Sequence, residues 1–181
     1  MPGDFDAMIE VDLMAGEYGG TGKGRRTQPI QDARARKARG CDLAFLKPVM
    51  VTIKGRRPGG GRDSAVVRVA GIVPFMVMKG MALFERMKEK DAYDIVYCIE
   101  HFPGGLEAMA EEFGVLAKNR LVQEGLGKIR SKFATIEHVG PKWVAEFLEI
   151  DDKEERAIVI RRAYEKTARL LDLLGIQEWR K

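Results

Sequence analysis

Five of the eight charged side chains in residues 79–94 are set at telling spacings: Lys79, Arg86, Lys90, Asp91 and Asp94. From Phe75 to Phe84 the only charged residue is Lys79, and from Ala92 to Ile99 the only one is Asp94. A lone charge inside an apolar helical segment is costly to bury without a partner. Lys79, Arg86 and Lys90 recur at i, i+7 and i+11, within about 40° of one another on a helix, so they form one cationic stripe suited to holding phosphate. Asp91 and Asp94 are one turn apart and can face the same side. The competing reading of Lys79 is that it snorkels to the surface or pairs with Asp94 as a buried ion pair. Asp91 has a plain reading of its own, as a helix N-cap. A third carboxylate, Asp12, sits on the polar side of an alternating run, MIEVDLM, where it could face a metal.

The elements that must carry these groups change character along the chain. Residues 8–14 read as a short strand, and AGEYGGTGKGRR as a flexible glycine-rich loop. That loop fails the phosphate-loop spacing: Glu17 stands where glycine is required and Gly24 where Ser or Thr is required. Residues 30–39 read as a short basic helix or a mobile segment. LAFLKPVMVTI, residues 43–53, reads as a strand region interrupted near Pro48. GRRPGGGRD is a turn, and residues 64–72 form another strand.

After Pro74 the pattern becomes helical. A first helix runs from Phe75 to Met87 or Lys88. Asp91 opens a second, which ends at Phe102-Pro103-Gly104-Gly105. One or two more helices follow, then a short one from Gly140-Pro141 to Phe147. A long amphipathic helix capped at Asp151-Asp152 runs to Leu174 and stops at Gly175. The expected fold class is α+β: a small, partial mixed β-sheet in residues 1–73, followed by an α-helical bundle in residues 74–181.

Charge is distributed unevenly. Residues 1–20 hold five acids and no Lys or Arg, residues 21–65 hold twelve Lys/Arg against three acids, and the remainder balances. The basic segment 21–65 is either a solvated surface or a patch for RNA or a partner, with Arg25, Arg26, Arg34, Arg36, Lys37 and Arg39 as candidate contacts. Cys41 and Cys98 are too few for a disulfide framework, and no Cys/His spacing suggests zinc. No apolar run is long enough for a bilayer and no signal pattern opens the chain, so a cytoplasmic protein with no membrane partner is expected.

Lys79, then Ala82-Leu83, then Arg86, then Lys90-Asp91-Ala92-Tyr93-Asp94, preceded by VRVAGIVPF, resembles the later part of nucleotidyltransferases of the polymerase-β superfamily. Within them it is most similar to the abortive-infection, AbiEii-like branch, some of whose members are toxins of toxin–antitoxin systems. The resemblance runs from about Ile9 through FATIEHVGPKWVAEFL to the C-terminus. It implies transfer of a nucleotidyl group from an NTP to a hydroxyl of tRNA or protein, with Mg²⁺ on a carboxylate triad. Asp12 would be the third carboxylate and a metal ligand. Lys79, Arg86 and Lys90 would bind the nucleotide, and Asp91 and Asp94 would form the acidic pair of the following helix, at least one of them mattering for activity. The family's Gly-Ser and Asp-x-Asp elements are not found ahead of Asp12. The chain is therefore expected to lack the first two carboxylates, to be inactive alone, and to expose a sheet edge and an apolar face to an antitoxin, another partner or a second copy. The alternative is a non-catalytic remnant that binds RNA or protein through residues 21–65.

Overall fold

The computed structural model describes residues 11–16, 27–57 and 59–180. The first part is a three-stranded mixed sheet. Strands β1 (Met14–Ala15), β2 (Thr27–Ile30) and β3 (Ala33–Lys37) lie in the order β1-β3-β2, with β1 parallel and β2 antiparallel to the central β3. The basic segment 30–39 is thus a hairpin rather than a helix. Gln31 turns the chain at φ 49°, and Ala33, Ala35 and Lys37 alternate with Arg34 and Arg36. Pairing register, not helical propensity, decides this segment: Ala35 is buried, while Arg34 and Arg36 are exposed. The strand expected over residues 8–14 pairs only at Met14 among the described residues; residues 8–10 and most of the glycine-rich loop lie outside them.

Cys41–Phe45 forms a 3-10 turn, so the run read as one strand from Leu43 is a turn followed by a strand. Strand β4 (Val49–Arg56) then pairs antiparallel with β5 (Arg62–Val69), from Val49 opposite Val69 to Arg56 opposite Arg62. The glycines of GRRPGGGRD close this ribbon: Gly60, at φ 89°, donates its N–H to the carbonyl of Arg57.

Among the described residues six α-helices follow: α1 (Ile72–Arg86), α2 (Glu89–His101), α3 (Gly105–Phe113), α4 (Arg120–Lys132), α5 (Val139–Phe147) and α6 (Lys153–Leu173). The architecture is the expected α+β arrangement. Pro74 sits in the first turn of α1, where its missing N–H costs nothing, so the helix begins two residues before it. The Asp152 carboxylate accepts from the backbone N–H groups of Glu154 and Glu155 and opens α6; Gly175, at φ 64°, follows its end.

The core lies among the helices, around Met76, Val77 and Leu83 of α1, Ile95 and Ile99 of α2, Phe113 of α3, Leu126 and Ile129 of α4, and Leu170 and Leu171 of α6. Helices α1 and α4 meet backbone to backbone. A Cβ on Gly80 would lie 2.1 Å from the Gly125 carbonyl oxygen, and one on Gly125 would lie 2.9 Å from Val77. That crossing requires glycine on both sides, and other parts of α1 meet α2 and the turn Cys41–Phe45. None of these helices is long and apolar enough to cross a membrane.

Candidate functional site

The α1–α2 corner gathers the charges picked out by sequence. Met87, in the left-handed region at φ 51°, and the extended Lys88 break the chain between the two helices. Lys90 therefore belongs to α2, and the stripe expected on a single helix is divided between two. The hairpin nevertheless brings the groups together. The Lys79 ammonium donates to Asp91 Oδ1 (2.9 Å) and Asp94 Oδ2 (2.5 Å). The Arg86 guanidinium donates to both oxygens of Asp91 (3.1 and 3.0 Å), and Lys90 to both oxygens of Asp94 (each 2.9 Å). Asp91 is 2% exposed and lies in the first turn of α2, whose N-cap is Lys88; it is an ion-pair centre rather than a cap.

Burial alone would lower the Lys79 pKa, but its hydrogen bonds and charge interactions with Asp94 and Asp91 outweigh burial and raise it. Burial alone would raise that of Asp94, but Lys79 and Lys90 outweigh it and lower it. The signs give a pH window. Asp94 contributes its full stabilisation above the ordinary aspartate value of 3.8 and loses it as pH falls through its lower native value. Lys79 contributes fully below the ordinary lysine value of 10.5 and loses it as pH rises through its higher native value. In urea denaturation between about pH 2 and pH 7, the stability gap between the protein and a Lys79→Met/Asp94→Leu variant should narrow only on the acid side.

Asp12 does not join this corner. It pairs with Arg36 of β3 at 3.2 Å, both side chains about half exposed. The turn that follows its sheet, not the sheet itself, meets α1. Gly40, just after β3, abuts Val77, and Arg39 reaches Glu124 of α4, whereas Lys79 lies about 160° round the helix from Val77. Lys79 and Asp94 thus meet, while Asp12 pairs with Arg36 instead. Among the described residues, no group of three or more His, Cys, Asp and Glu side chains comes together as a metal site.

Two charged arrangements were not singled out by sequence. Glu124, buried on α4, receives Arg39 through both oxygens (2.6 to 3.0 Å) and Lys128 at 2.9 Å, which ties the small sheet to the helices. The signal was available in Glu124 and Lys128 at i, i+4, interleaved with Gly125 and Gly127, whose close approaches leave the pair nowhere to go but inward. On α2, Tyr97 stacks on His101 with centroids 4.2 Å apart and Tyr93 lies tilted to Tyr97 at 5.8 Å, beside a cleft of about 250 Å³ that Glu100 and Arg162 (2.8 Å apart) also line.

The second site is the β4–β5 ribbon. Of its sixteen strand residues only Val67 is not exposed. Each strand lies against the other and makes no extensive contact with any other element. Register sorts the side chains, because directly opposed residues share a face. One face carries Val49, Val51, Ile53, Ala65, Val67 and Val69, with Gly55 and Asp63 near the tip. The other carries Met50, Thr52, Lys54, Arg56, Arg62, Ser64, Val66 and Arg68. Arg57, in the turn, pairs with Asp63 at 2.9 Å. Among the described residues Lys54, Arg56, Arg62 and Arg68 have no ion-pair partner.

The chain matches no protein-family model, no curated protein and no solved structure. What the molecule does must be argued from these two sites. At the α1–α2 corner three cations surround two carboxylates, and every member has a partner. On the ribbon four cations share one open face.

Proposed function

We propose that the protein binds nucleic acid, with the basic face of the β4–β5 ribbon against the phosphates. The observation that carries this is the set of four cations, Lys54, Arg56, Arg62 and Arg68, on one side of a free-standing ribbon and without ion-pair partners among the described residues. Thr52 and Ser64, on the same face, add hydroxyl donors for phosphate oxygens. A two-stranded ribbon is the width that the major groove of B-form DNA admits. The ribbon has no aromatic residue among its strands, so it lacks the stacking platforms by which single strands are held. These features rank duplex DNA ahead of single-stranded RNA and move the expected contacts from β3 and the preceding loop to β4 and β5. Arg36 and Arg39 are engaged within the protein, with Asp12 and Glu124.

The test is a fluorescence-anisotropy titration with a labelled 20-base-pair DNA duplex, a duplex RNA and a single-stranded RNA at several salt concentrations. Binding that is unchanged when Lys54, Arg56, Arg62 and Arg68 are replaced by glutamine would remove the ribbon from the proposal.

Nucleotidyl transfer is the second reading, favoured by the convergence of Lys79, Arg86, Lys90, Asp91 and Asp94 at one corner. It requires Lys79 to exchange two carboxylates for a triphosphate and metal ions to gather at Asp12, which is paired with Arg36. With α-labelled NTPs, Mg²⁺ and either tRNA or total protein as acceptor, the expected result is no transferred label. Transfer that disappears on Lys79→Ala and on Asp12→Ala would establish this reading instead.

A further inference from the structure

We infer that the rung Arg56–Arg62, the last before the turn of the β4–β5 ribbon, is a site for a phosphomonoester, the group that ends a 5′-phosphorylated nucleic-acid strand. This rests on the nucleic-acid reading and identifies the phosphate that the tip of the ribbon holds. Arg56 lies directly opposite Arg62 on the basic face. The Arg57 N–H donates to the Gly61 carbonyl at 2.8 Å, so the position just beyond this rung is of the hydrogen-bonded kind. The two kinds alternate along an antiparallel pair. Arg56–Arg62 is therefore a non-hydrogen-bonded rung, with Cα atoms about 4.5 Å apart and side chains at their closest. Like charges directly opposite one another destabilise a ribbon. Nothing among the described residues offsets this pair. The only acid between Val49 and Val69 is Asp63, which lies on the other face and pairs with Arg57 at 2.9 Å.

A close pair of unpartnered guanidiniums calls for one group with two charges. An internal phosphodiester carries a single negative charge, whereas a terminal phosphate carries about 1.5 to 2 at neutral pH and offers three acceptor oxygens. Two arginine forks can each present parallel N–H donors to those oxygens from opposite sides. Lysine would supply only a point charge, and the rung has arginine on both strands.

The layout of the basic face places this site at an end. Arg56 and Arg62 share one rung at the outer tip. Lys54 stands about 7 Å and Arg68 about 20 Å farther back toward the helices, at about 3.4 Å per residue. The row thus holds two cations at its outer end and single ones behind it. A strand that ends in a phosphomonoester and continues in diesters carries its charge in the same order. The ribbon makes no extensive contact with any other element, and open space surrounds Gly59, Gly60 and Gly61 of its turn. Nothing among the described residues blocks a strand from ending there.

Two internally labelled 20-base-pair DNA duplexes test this on the full chain by fluorescence anisotropy. One carries a phosphate at both 5′ ends, the other the methyl ester of that phosphate, which keeps a single charge. At pH 7.5 the phosphomonoester duplex should bind about tenfold more tightly, the scale of one added charge-assisted hydrogen bond. At pH 5 the preference should fall below about twofold, because the monoester takes up its second proton near pH 6 while arginine stays charged. The ribbon holds no histidine, the side chain that ordinarily titrates in this window; the charged neighbours of the rung are Lys54, Arg57 and Asp63. Arg56→Gln with Arg62→Gln should abolish the preference, whereas Lys54→Gln with Arg68→Gln should weaken both duplexes and leave their ratio unchanged. An end phosphate held by the rest of the duplex is present at a millimolar effective concentration, so about 0.1 mM inorganic phosphate should leave the preference intact. Equal binding of the two duplexes at pH 7.5 would overturn the inference while leaving the nucleic-acid reading in place. So would a preference that survives pH 5 or the loss of both arginines, or one that the inorganic phosphate removes. Failure of the natural chain to bind either duplex would overturn both.

Discussion

Replacing Lys54, Arg56, Arg62 and Arg68 together by glutamine is expected to flatten the salt dependence of duplex binding by three to four units in the slope of log K against log salt. Each cation that neutralises a phosphate releases condensed counterions and contributes about 0.9 to that slope on B-form DNA. The advantage of the natural protein over the variant should therefore shrink about a hundredfold between roughly 50 and 200 mM salt. Structural loss is not a competing explanation, because all four side chains are exposed and belong to no ion pair among the described residues. The thermal midpoint of the helical part should move little, since surface substitutions of this kind usually change stability by less than about 0.5 kcal/mol. Phosphate contacts carry no sequence information, so the loss should be the same for duplexes of unrelated sequence. A variant that loses affinity for one sequence only would mean that the ribbon reads base edges, with Arg56 or Arg62 at guanines.

The ribbon also shows where sequence reasoning reaches and where it stops. The turn GRRPGGGRD and the strand after it are legible because glycine and proline punctuate the chain and β-branched residues follow. The start of β4 is not, because Cys41–Phe45 carries the same kind of apolar residues as a strand and closes into a 3-10 turn only when Leu43 packs against the helices. Residues 30–39 offer the opposite lesson. Their alternation of Ala with Arg and Lys satisfies a strand as well as a helix, and pairing with β2 selects the strand. The helices are the most legible part, since caps such as Asp152 and stops such as Gly175 act locally. The candidate corner is half legible. That Lys79 needs a partner follows from its apolar surroundings. That Asp91 is buried with it, and that Asp12 is not, depends on the Gly80–Gly125 crossing that sets which side of α1 faces α2. No local pattern announces that crossing, because each glycine has its meaning only opposite the other.

Lys79→Met should cost about 3 kcal/mol of stability at neutral pH, the scale for removing one partner from a buried ion pair. For a chain of this size that corresponds to a fall of roughly 10 °C in the thermal midpoint. The loss arises because the Asp91 side chain, 3% exposed, keeps only Arg86, and Asp94 keeps only Lys90, whose own side chain is 62% exposed and well solvated. Lys90→Gln should by comparison cost less than about 1 kcal/mol, as an exposed partner does. Adding Asp94→Leu to Lys79→Met should recover only part of that loss, because buried Asp91 still keeps Arg86 alone. The second substitution removes the carboxylate left without its buried partner and replaces it with a side chain suited to the apolar surroundings. Calorimetry of the four proteins of this double-mutant cycle separates structure from function at the corner. If Lys79 is held in place by the fold in order to meet a ligand, its removal will leave stability unchanged or raise it, because an unneeded buried charge has gone. If it is the counter-ion of Asp91 and Asp94, the single substitution will be costly and the double one less so. The hydrogen bonds at 2.9 and 2.5 Å from one ammonium to two carboxylates favour the second outcome.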